Sequence, residues 1–66
     1  MPAYAVVYRE SRDRKRRQAE ALDLSNDRMT ACSVTRGAGD QELLTVREVE
    51  INAPTPYTAC CEVLDD

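Results

Sequence analysis

The sequence predicts an α+β fold: a small antiparallel sheet with one helix packed on one face, in β-β-α-β-β order. Three observations carry the expectation. Period-2 apolar stripes recur at residues 4–8, 43–51 and 57–63. A cap-like Ser25-Asn26-Asp27 precedes a stretch with helical spacing that ends at Gly37. The chain has 66 residues, which sets a limit of one domain spanning 1–66 with a small core.

Residues 3–9 read as the first strand, with Tyr4, Val6 and Tyr8 on one face and Ala5 and Val7 on the other. Glu10-Ser11-Arg12-Asp13 is turn-like. A second strand is expected over about residues 16–24, with Leu22 and Leu24 on one face and Ala19 and Ala21 on the other. Residues 14–24 also suit a helix by propensity. The strand is preferred because Ser25 then caps the next element.

That element is expected to be a helix. Ser25 supplies a side-chain cap, Asp27 an acid in the first turn, Met29 and Cys32 an apolar face, Arg36 a cation in the last turn and Gly37 the left-handed stop. Residues 43–51 form the third strand. Their alternation breaks, which predicts a bulge near Arg47-Glu48 or partial cover on both faces. Asn52-Ala53-Pro54-Thr55-Pro56 is a stiff connector. Tyr57, Ala59, Cys61 and Val63 predict the fourth strand, and Leu64-Asp65-Asp66 an acidic tail. The expected core is Tyr4, Val6, Tyr8, Leu22, Leu24, Met29, Cys32, Leu44, Val49 and Val63.

The charge pattern is two-ended. Residues 9–17 hold six basic and two acidic side chains, a formal +4, while the rest of the chain sums to −7. Such asymmetry points to partners rather than to chemistry. There is no His, so the usual acid–base group at neutral pH is missing. Neither a Cys with an activating base nor a phosphate-cradling glycine loop is visible, because Gly37-Ala38-Gly39 follows the expected helix instead of preceding one. No enzyme activity and no cofactor are expected. Zinc is not expected either, since three Cys without His make no standard site. The odd, partly adjacent cysteines (Cys32, Cys60, Cys61) suit reduced thiols in a cytoplasmic protein. No secretory signal or membrane span is expected.

The candidate partner-binding residues are Arg12, Arg14, Lys15, Arg16 and Arg17, whose guanidinium forks suit phosphate or an acidic protein surface. A hairpin tip charged only to stay soluble is the plainer reading. Glu48 and Glu50, on one strand face, are a second candidate contact. With other late acids they could imitate a phosphate backbone; ordinary solubilising charge is again the plainer reading.

The stretch Gln18-Ala19-Glu20-Ala21-Leu22-Asp23-Leu24-Ser25, running into a helix with Arg28, resembles in layout a small family of phage-encoded anti-CRISPR proteins that act on type I surveillance complexes. The resemblance covers about residues 4–51. It implies a non-catalytic inhibitor that occludes a nucleoprotein machine, a CRISPR–Cas effector, in the host cell. Two other readings remain: a nucleic-acid-binding module using the basic hairpin, opposed by the net charge of −3, and a homodimeric accessory protein. The chain is expected to be a monomer or a homodimer.

Overall fold

In a computed structural model, which describes residues 1–65, four strands precede a single helix: β1 (Ala3–Glu10), β2 (Arg17–Asp23), β3 (Met29–Arg36), β4 (Leu44–Asn52) and α1 (Pro56–Leu64). The strands form one antiparallel sheet in the order β3-β2-β1-β4. The expected α+β class holds. The expected β-β-α-β-β order does not: the segment read as the helix is β3, and the segment read as the last strand is α1.

The reason lies in two local competitions. Asp23 takes the turn polar groups before any helix can. Its carboxylate accepts from the Ser25 backbone N–H and hydroxyl, and its carbonyl accepts from Asn26 and Arg28. Asp27 and Arg28 then sit at left-handed φ of 53° and 57°. The Ser-Asn-Asp signal therefore closes a β2–β3 hairpin. Gly37, expected as a helix C-cap, instead lies at φ +81° in the loop after β3. At the other end, Thr55 caps α1 by accepting the Thr58 N–H at 3.1 Å, and a proline occupies the first turn. This start signal is also a strong one.

The helix lies over β2, β3 and β1. Its buried face is Ala59, Cys60, Val63 and Leu64. Against it lie Tyr4, Val6, Ala19 and Ala21, with Tyr8, Cys32, Val34, Val49 and Ile51 packed around them. Small residues meet at the centre, so the helix approaches β2 closely, and Cys60 Sγ lies 3.4 Å from the Ala19 carbonyl. Tyr4, Val6, Tyr8, Cys32, Val49 and Val63 join this core as expected. Met29 and Leu44 do not: they are 59% and 42% exposed. Leu22 and Leu24 are half-buried. Leu22 is displaced because β2 turns Ala19 and Ala21, not its leucines, to the helix. The predicted break in β4 is real, since the β1–β4 register shifts between Tyr8 and Arg9, leaving Val46 as the extra residue.

Among the described residues, no second layer covers the other face. There Ala5 and Val7 are nonetheless buried, at 4% and 8% exposure. Val7 is flanked by Glu20 and Glu48, and Ala5 by Leu22 and Glu50. The stems of these long side chains shield the strand. Their heads form a polar web: Arg9 pairs with Glu20 at 3.0 Å, Thr30 donates to Glu20 at 2.6 Å, and Arg28 reaches Glu48 at 2.8 Å. Among the described residues, no helix is long and apolar enough to cross a membrane.

Candidate functional site

The basic segment forms the β1–β2 hairpin tip, and the fold divides its five candidate cations. Ser11 is the buried anchor. Its N–H bonds the Arg16 carbonyl, its carbonyl accepts from Arg14, and its hydroxyl accepts from the Arg16 N–H while donating to Asp13. The Asp13 carboxylate also takes the Lys15 N–H at 3.1 Å. The backbone N–H of Asp40, in the β3–β4 loop, is near enough to lower the carboxyl slightly further. These hydrogen bonds, led by that from Ser11, hold the Asp13 carboxyl below its ordinary value.

The loop around residue 37 closes over the same tip. A Cβ on Gly37 would lie 1.9 Å from the Lys15 carbonyl oxygen, and one on Gly39 would lie 2.9 Å from the Asp13 carboxylate. Asp40 likewise turns to its own backbone and accepts the Glu42 N–H. The Asp13 carboxylate therefore sits against the β3–β4 loop at Gly39, while Arg12, Arg14 and Lys15 stay exposed. Arg14 has only a loose ion pair with Glu10, at 3.9 Å, and occupies left-handed φ of 62°.

Arg16 and Arg17 are different. Arg17 donates to the Leu64 carbonyl at 2.7 Å, satisfying the C-terminal end of α1. Arg16 is half-buried, and its Nε has no partner among the described residues. The exposed tip is thus Arg12, Arg14 and Lys15. The two-ended charge pattern is also softened in space, because Asp40 lies at the tip and Asp65 pairs with Arg36 near the C-terminal end of α1.

Glu48 and Glu50 lie elsewhere, side by side on the uncovered face of β4. Glu48 is held by Arg28. Glu50 has no ion-pair partner among the described residues. The same strand carries Leu44 and Val46, 42% and 52% exposed, which reasoning from sequence placed in the core or left unassigned. The signal that marks them is the broken alternation of β4 itself.

The thiols gather between helix and sheet. Cys60 is fully buried, and burial pushes it up to about 11, with Cys32 adding to the effect. Cys61 is half-exposed, and Arg36 donates to its sulfur at 3.6 Å. Compared with known proteins, the chain matches no family model, no curated protein and no solved structure.

Proposed function

We propose that this chain is a non-catalytic binding protein that blocks a larger nucleoprotein machine by stoichiometric occlusion, with a type I CRISPR–Cas effector as the machine. The helix that carried the layout resemblance to anti-CRISPR proteins is absent from residues 25–36, where a turn and β3 stand instead. The reading therefore rests on the hairpin tip. One observation supports it above the rest: the Asp13 carboxylate bonds the Ser11 hydroxyl and the Lys15 N–H, so exposed Arg12, Arg14 and Lys15 project from a tip whose backbone is pre-shaped. A rigid cationic tip loses little entropy on docking and speeds encounter with an anionic surface.

The test is target-DNA binding by a purified type I effector, titrated with this chain and with the Arg12→Glu/Arg14→Asp/Lys15→Glu variant. The wild type is expected to block DNA binding at about one chain per site, and the folded variant to block it at least about tenfold less well, as loss of several charge contacts requires. Equal inhibition by the folded variant overturns the role of the tip. No inhibition by either removes this target.

The same three cations support a second reading, direct binding of nucleic acid. Its mark is affinity for free DNA or RNA that falls steeply with salt.

A further inference from the structure

We propose that the β4 edge is a docking site for an extended segment of another protein in which cationic and apolar residues alternate. The inference is independent of the hairpin tip and would stand if the tip had no partner.

A sheet of this order has two edges, β3 and β4. They are not equivalent. α1 packs along β3, whose exposed residues are Met29 at the strand's first position, Thr30, Ala31, Ser33 and Thr35. β4 is longer, with nine residues, and lies beyond the elements on which the helix packs. It exposes Leu44 and Val46, and on the helix side it leaves Val49 and Ile51 only half-buried. An edge of this kind presents unpaired backbone groups to any strand that fits.

The side chains determine which strand fits. A second copy of β4 is disfavoured. In an antiparallel pairing that keeps equivalent faces together, every register joining seven or more β4 residues sets Arg47 against Arg47, Glu48 against Glu48 or Glu48 against Glu50. Like charges directly opposite one another destabilise a ladder. The carboxylates that exclude self-pairing attract a different strand. Glu50 is unpaired among the described residues, and Glu48 is shared with only one Arg. A partner with Lys or Arg at every second position would place those cations opposite Glu48 and Glu50. The intervening residues would then lie on the helix side, beside Val49 and Ile51, where apolar side chains find cover.

The test is amide hydrogen exchange by NMR on the full chain, with three probes at millimolar concentration. The first is a capped nonapeptide alternating Lys and Val. The second has the same composition in two blocks. The third alternates Glu and Val. Only the Lys/Val alternating peptide is expected to protect the amides of β4, leaving β3 unchanged. Glu50→Lys should weaken that peptide by about fivefold, the size of one cross-strand charge pair, and favour the Glu/Val peptide instead. Three outcomes would overturn the proposal: no protection of β4, equal protection by the blocked peptide, or protection of both edges alike. Protection of β4 that rises with protein concentration without peptide, accompanied by a dimer in sedimentation, would assign the edge to a second copy and also overturn it.

Discussion

Two residues show how closely this small fold is constrained. Gly37 combines a left-handed φ of +81° with a carbonyl oxygen 1.9 Å from where a Cβ would sit. Gly37→Ala must therefore strain its own backbone and push the hairpin tip away. A loss of about 2 kcal/mol or more in urea unfolding is expected. Gly39 has no left-handed φ, and its Cβ would meet the Asp13 carboxylate and Lys15 Cβ at 2.9 Å instead of a carbonyl oxygen at 1.9 Å, so Gly39→Ala should cost less. Cys60 makes a second prediction, on pH. Its folded value, about 11, is above the ordinary thiol value of 9.0. Above pH 9 the unfolded chain releases this proton while the folded chain holds it, so the unfolded state binds fewer protons and stability falls as pH rises. The contribution is complete below pH 9 and lost as pH rises through about 11. Stability measured from pH 8 to 11 should decline, and Cys60→Ala should flatten that decline while lowering the plateau. An unchanged slope would show that the buried thiol is not its source.

At the scale of elements, the helix is set by its ends. Thr55→Ala removes the oxygen that takes the Thr58 N–H, and a loss of about 1 kcal/mol is expected in thermal or urea unfolding. Thr55→Ser should retain most of the stability. The caps also explain what the sequence made legible. β1 and β2 could be read because their stripes are long and their turn is rich in polar residues. β4 and its bulge could be read because the alternation fails at one place. β3 and α1 were exchanged for a physical reason. Ser25, Asn26 and Asp27 serve a hairpin turn as well as they serve a helix start, and Asp23, two residues before Ser25, decides between them by bonding Ser25. Residues 57–64 carry a period-2 stripe and also the helical set Ala59, Cys60, Val63 and Leu64. Only the Thr55-Pro56 start separates the two readings. The candidate site was partly legible in the same way: the cations were found, but Arg17 is drawn to the end of a helix that had not been expected there.

For the whole molecule, the decisive fact is that one helix covers one face of one sheet. Val6, Ala19 and Ala21 are fully buried, and the helix residues Ala59, Cys60, Val63 and Leu64 share their cluster. Among the described residues, the opposite face is covered by side chains of its own strands, mostly long polar ones with Leu22, and surface ion pairs of that kind add little stability. β1 must also pair with β4, joining Ala3 to Asn52 across most of the chain, and such distant closure has to be offset by burial. A chain ending at Pro54 keeps every strand but loses the helix. It should show no cooperative unfolding transition, and it should bind a hydrophobic dye that the full chain does not. A separate peptide of residues 55–66 added in excess should restore the transition, because the lost cover is a surface and not a covalent link. If the shortened chain instead unfolds cooperatively with strand-like circular dichroism, then the polar web of Arg9, Glu20, Thr30, Arg28 and Glu48 holds the sheet together without the helix. The core would then have to be placed on the face that now looks like surface.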